Sequence, residues 1–162
     1  CESLISVNHA EASKIVIFGG WNGILASMLF NSELGVRHIR SIDIDPACKD
    51  IALGMNKAYE MDGSFDAITE DMCNYEYTED PHIVINTSCE HLTNIQYYQW
   101  YDKIPADTWI VLQSNNYSEL DEHINCSESL DEFKKKANIS NTFYAGSLKL
   151  PKYDRYMIIG RK

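Results

Sequence analysis

A chain of 162 residues, 44 % apolar and 23 % charged, can bury a core without a metal or disulfide staple, and reads as a single domain over 1–162. A formal net charge of −10 excludes a surface that tracks nucleic-acid phosphates, and Lys134-Lys135-Lys136 reads as a solvated helix face. The five cysteines, at 1, 48, 73, 89 and 126, are not spaced as a disulfide framework, and no apolar run reaches the length of a membrane span, so a cytoplasmic protein with reduced thiols and no membrane partner is expected.

From the N-terminus, residues 14–19 (KIVIFG) form a continuous β-branched run, the signature of a strand buried on both faces. A helix follows over 24–32, ending near Gly35, and a second strand over 38–45. Pro46 stands where a helix starts, with apolar residues at Ile51, Met55 and Ala58 continuing it through 61. Residues 65–71 read as a short strand that runs into a polar, tyrosine-rich loop. Strands over 82–88 and 108–116 bracket a helix over 94–104. The stretch 127–138 opens on serine, places acids early and lysines late, and so suits a helix dipole. Two last strands, 141–150 and 153–162, are joined too tightly for a crossover and form a hairpin. Strands alternating with helices imply right-handed crossovers, hence an α/β fold with a doubly wound, mostly parallel sheet and an antiparallel C-terminal edge.

In such a sheet, ligands bind beyond the carboxyl ends of the strands. The first strand ends in Gly19-Gly20-Trp21-Asn22-Gly23, where glycines permit positive φ and let a ligand approach bare backbone N–H groups. The spacing is neither G-x-G-x-x-G nor a phosphate-binding loop with its lysine. Asp43 closes the second strand, where a carboxylate can accept both hydroxyls of a ribose, with Ile44 after it. Asp71 ends the third strand, where it can take an adenine amino group, and Met72 can pack on the ring. Duller roles compete: a plain tight turn for the glycines, a solvated loop carboxylate for Asp71, and for Asp45 a helix cap ahead of Pro46, which is preferred.

The order IVIFGGWNG, IRSIDIDPACKDIA, FDAITEDM, HIVINTS, WIVLQSNN and YDRYMIIGRK resembles the class I S-adenosylmethionine-dependent methyltransferases over nearly the whole chain from residue 14. The resemblance implies a seven-stranded sheet whose last strand is antiparallel. It implies S-adenosyl-L-methionine as cofactor, with Gly19, Gly20 and Gly23 along its methionine part and Trp21 and Asn22 of the same turn at the pocket. Asp43 and Ile44 are implied at the ribose, Asp71 and Met72 at the adenine, and Asn86 at the end of the fourth strand. Trp21-Asn22 fills the usual third glycine position, and only residues 2–13 are left for the helix that often caps the cofactor. A chain opening at Cys1 is what a fragment or a trimmed chain would show.

A second constellation lies in NTSCEHL (86–92) and QSNNYSELDEHINC (113–126), the loops expected over an acceptor pocket in this fold. Two thiols, two imidazoles and two carboxylates are the inventory of a transition-metal site, but adjacent residues rarely ligate one ion, and no metal is assigned. Glu90 and His91, with His123, read instead as a general base or orienter for a small-molecule acceptor; the duller reading is a polar surface loop. Asn115, Asn116, Tyr117 and Tyr153-Asp154-Arg155 add polar groups, and Arg155 suits an acceptor carboxylate. With no lid after the fifth strand, the pocket is open or a second copy covers it in a homo-oligomer. The expected activity is methyl transfer to a small molecule. The alternatives are an aminopropyltransferase, although NTSCEHL lacks the aspartate expected in the acidic segment of those enzymes, a cofactor-binding module without chemistry, and a nicotinamide-binding protein.

Overall fold

The computed structural model describes residues 14–78 and 80–162. The expected capping segment before the first strand lies outside them. The strands are β1 (Lys14–Phe18), β2 (His38–Asp43), β3 (Phe65–Thr69), β4 (Ile83–Asn86), β5 (Trp109–Asn115), β6 (Asn141–Lys149) and β7 (Asp154–Arg161). The helices are α1 (Ile24–Phe30), α2 (Pro46–Met55), α3 (Lys57–Met61), α4 (Asn94–Lys103) and α5 (Leu130–Ala137). The strands make one mixed sheet in the order β3-β2-β1-β4-β5-β7-β6, with a parallel core and an antiparallel C-terminal hairpin, as the sequence implies. By contact density the chain divides into two compact units, one up to Val84 and one from Ile85.

In the first unit, Ile15, Val16, Ile17 and Phe18 are all buried, which is why β1 shows no polar alternation. β1 pairs with β2 in parallel, Phe18 opposite Ile42, and β2 with β3, Asp43 opposite Thr69. The carboxyl ends of three adjacent strands therefore lie on one edge. Arg40 on β2 reaches Asp66, its register partner on β3, at 2.8 Å. Asp45 caps α2, its Oδ1 accepting Ala47 N–H at 2.9 Å with Pro46 next in line, so the cap reading holds.

Three expectations shift here. The first helix stops at Phe30, short of residue 32, with Ser32 Oγ donating to Leu29 O at 2.6 Å. The helix expected through 61 breaks at Asn56, which is fully buried and donates through Nδ2 to both Ala52 O and Gly23 O. The third strand ends at Thr69, leaving Asp71 in the turn beyond it. The tyrosine-rich loop is no bare connection: Tyr75 is buried, edge-on to Phe18 at 5.5 Å and to Tyr77 at 5.0 Å, and its hydroxyl accepts from Arg40. Rings cover the β1 surface there, as aromatic pairs do in cores.

In the second unit, α4 opens with a capping box in which Thr93 and Gln96 satisfy each other's backbone and side chain, and it buries Tyr97 and Trp100. α5 begins at Leu130, later than expected, because Ser129 is the residue that caps it. β7 lies between β5 and β6, antiparallel to both, so the hairpin turns back against β5. A Cβ at Gly20 would stand 2.0 Å from Ser41 Oγ and 3.2 Å from Ser41 Cβ on β2. Gly20→Ala is therefore expected to destabilise the protein by about 1–3 kcal/mol in urea denaturation, and Ser41→Ala in the same chain to recover part of that loss.

Candidate functional site

The turn after β1 is built for close approach. Gly20 N–H donates to Ile42 O at 3.1 Å, drawing the turn onto β2. Gly23 has φ 78°, and a Cβ there would meet Asn56 Nδ2 at 2.6 Å and Ala52 Cβ at 3.1 Å. Two of the three glycines thus have packing reasons of their own, beyond any ligand. Between them Trp21 has φ 47°, a conformation costly for a bulky residue, and its side chain is 63 % exposed. Glycine would adopt that backbone more cheaply, and the indole is not needed in the core.

Asp43 locks this turn. Its Oδ2 accepts Trp21 N–H at 2.9 Å and its Oδ1 accepts Asp45 N–H at 3.0 Å. The half-buried carboxylate therefore bridges the turns after β1 and β2, with one lone pair left on each oxygen. Ile44 beside it is 69 % exposed. Asp71 is half-buried, its Oδ1 accepting Cys73 N–H at 2.8 Å and its carbonyl accepting Asn74 and Tyr75 N–H, so it holds a turn together instead of ending a strand. Met72 is half-buried next to it. The structure thus gathers residues 19–23, 43, 44, 71 and 72 at the carboxyl edge of β1, β2 and β3.

The second unit holds a different cluster. Asn86, at the end of β4, is fully buried and its Oδ1 accepts Ser88 N–H at 2.9 Å, steering the chain into a short 3-10 turn over Cys89–His91. That turn splits its three side chains. Cys89 goes into the core, in a small cavity with Tyr97, Phe133 and Ala137, and burial raises its thiol pKa well above the ordinary value. Glu90 is 2 % exposed, so this acid is set apart from the polar surface of its loop, where His91 is exposed. Its Oε1 accepts Asn115 Nδ2 at 2.6 Å and lies 3.6 Å from Arg155 Nη2. Its Oε2 is enclosed and has no hydrogen-bond partner. Burial raises the Glu90 carboxyl above its ordinary pKa, against weaker pulls from its own backbone N–H, Arg155, His91 and His123.

His91 is exposed and His123 half-buried, their rings edge-to-face at 4.8 Å. His123 Nδ1 lies 2.6 Å from Tyr117 O, so that nitrogen carries the proton and Nε2 keeps its lone pair. Arg155 also reaches Gln113 Oε1 at 3.5 Å while its Nε has no hydrogen-bond partner, and Cys126 Sγ donates towards Tyr117 O at 3.3 Å. Arg155 therefore lies beside Glu90, its guanidinium shared between that carboxylate and Gln113. Nothing in the residue pattern distinguished Glu90 from exposed Glu122; only the register of Asn115 against Arg155 on β5 and β7 decides it.

No family model matches the chain, and no curated protein matches it in sequence. Its fold, however, is shared with many solved structures. The N-methyltransferase NodS from Bradyrhizobium japonicum superposes with a TM-score of 0.76 at 11 % identity, over 99 % of this chain and 90 % of that one. Geranyl diphosphate C-methyltransferase from Streptomyces coelicolor gives 0.73 at 11 % identity, covering 99 % and 78 %. The chain has the class I methyltransferase fold. The [4+2]-cyclase SpnF shares it too, with a TM-score of 0.74 at 7 % identity, covering 95 % and 76 %, so this architecture by itself does not specify the reaction. Against the pyocyanin biosynthetic protein PhzM, the chain spans 53 % of the partner's length.

Asp43→Asn keeps one acceptor oxygen and turns an amide N–H₂ towards a backbone N–H. It is expected to cost about 1–3 kcal/mol of stability in chemical denaturation, more than an exposed acid-to-amide change elsewhere.

Proposed function

We propose that this protein binds S-adenosyl-L-methionine and transfers its methyl group to a small-molecule acceptor. The observation that carries this reading is the edge formed by three parallel strands, where a strained glycine turn and a bridging carboxylate stand together. The residues fit the cofactor. Asp43 retains acceptor capacity for two ribose hydroxyls after holding its two amides. Trp21 and Ile44, in the two turns that Asp43 joins, offer exposed apolar surface suited to the nucleoside and thioether parts. Asp71 and Met72 would serve the adenine, and the backbone of 19–23 the methionine part. Asn86, fully buried, would act by setting the path of the chain after β4.

When bound, the cofactor supplies an electrophilic methyl on a sulfonium, so the chain's task is alignment and a path for the acceptor's proton. Glu90, His91 and His123 are the acceptor-side residues in this reading. Tyr117 O engages Nδ1 of His123, which leaves Nε2 as the ring nitrogen open to a further partner on the acceptor side. The same fold in methyltransferases acting on nitrogen and on carbon supports the reaction class and leaves the acceptor to be found.

Isothermal titration with S-adenosylmethionine and S-adenosylhomocysteine tests the proposal. Micromolar binding is expected, and Asp43→Ala should weaken it at least tenfold; no heat at millimolar ligand would overturn it. Trp21→Gly separates ligand from fold at this site. It relieves the positive φ, so stability should hold or rise by about 1 kcal/mol, while cofactor affinity falls several-fold. Binding without turnover, against a panel of small amines, phenols and carboxylates, would mark a cofactor-binding module instead.

A further inference from the structure

We propose that Glu90, His91 and His123 hold a divalent transition-metal ion whose open positions take an oxygen donor of the acceptor. A carboxylate oxygen of Glu90 and one nitrogen of each imidazole lie within 4.8 Å of one another. Ligands at about 2.1 Å from a common ion in tetrahedral geometry stand about 3.4 Å apart, so closure needs only a modest turn of side chains. His91 is exposed and free to make it.

Three further observations point to a cation. The first is the unspent oxygen: Asn115 and Arg155 both address Oε1 of Glu90, while Oε2 is enclosed in a residue 98 % buried and has no hydrogen-bond partner. A buried carboxylate oxygen without a partner is destabilising, and a metal ion would offset that. The second is the tautomer. Tyr117 O fixes the proton of His123 on Nδ1 and presents Nε2 as a lone pair, the outer contact that metal-binding histidines characteristically make. The third is the pairing of the rings, with two imidazoles edge-to-face at 4.8 Å beside an acid.

The donor set selects the ion. Two imidazoles and one carboxylate suit zinc, iron(II), cobalt or nickel rather than magnesium, which prefers oxygen alone. Three protein ligands leave at least one position open. An acceptor hydroxyl or carboxylate bound there would be oriented and made more acidic, a role distinct from the sulfonium chemistry of the cofactor. This inference rests on the acceptor-side reading of these residues, and its test is independent of the nucleoside.

Chelator-treated protein is titrated with Co²⁺ and Zn²⁺ in the absence of any nucleoside, followed by calorimetry and by the visible bands of Co²⁺. One ion per chain is expected, displaced by Zn²⁺, with affinity lowered at least tenfold in H91A, H123A and E90Q. H91A alters an exposed residue, so its fold should be intact by circular dichroism. H82A changes a histidine outside the cluster and should leave binding unchanged. Acetohydroxamate added to the Co²⁺ form should shift the visible spectrum, and an unmoved spectrum would overturn the open position. Absence of binding at hundreds of micromolar metal, or binding that survives H91A and H123A together, would overturn the site. S-adenosylhomocysteine titrated into the same metal-free sample separates the two proposals: nucleoside binding there with no metal binding defeats the metal site alone.

Discussion

One carboxylate organises the first unit. Asp43 accepts the N–H of Trp21 from one turn and of Asp45 from the next, so two neighbouring strands end in a shared hydrogen-bonded knot. Without it, Trp21 has no reason to remain at φ 47°, and the start of α2 loses one of its two aspartate contacts. The turns that this knot joins carry an exposed indole, Trp21, and an exposed isoleucine, Ile44, which the core does not call for. Structure and prospective ligand contact therefore converge on the same side chain.

The glycines around that knot serve packing as much as access. Gly20 lets the turn lie against Ser41, and Gly23 lets α1 start against α2, where Asn56 ties helix to turn. Asn56 in turn ends α2 and is fully buried. A short loop, a broken helix and two glycines are consequences of one requirement: backbone from three elements must pass within van der Waals contact.

The second unit turns on an opposite principle, a carboxyl group kept inside. Glu90 is held by Asn115 and Arg155 from adjacent antiparallel strands, and one of its oxygens is left without a protein partner. A buried acid with an incomplete shell is costly in a structure that needs only stability. Its two imidazole neighbours make sense of that cost. Around it the thiols take structural posts, Cys89 in the core and Cys126 on backbone and amide oxygens.

Local pattern determined much of this protein. The uniform apolar run of β1, the Asp45-Pro46 helix start, the early acids and late lysines of α5 and the closing hairpin all follow from short-range chemistry visible residue by residue. So did the placing of Gly19–Gly23 and Asp43 at strand ends, because strand ends are set by the same local signals. Tertiary structure alone decided what depends on distant partners. Asp71 became a turn-holder because β3 ran out two residues earlier, and the tyrosine loop became a core layer because Phe18 and Arg40 were there to receive it. Glu90 went inside while Glu122 stayed out because only Glu90 meets Asn115 and Arg155, brought opposite each other by the β5–β7 register. Spacing along a chain specifies which residues share a face; which acid is desolvated depends on partners tens of residues away.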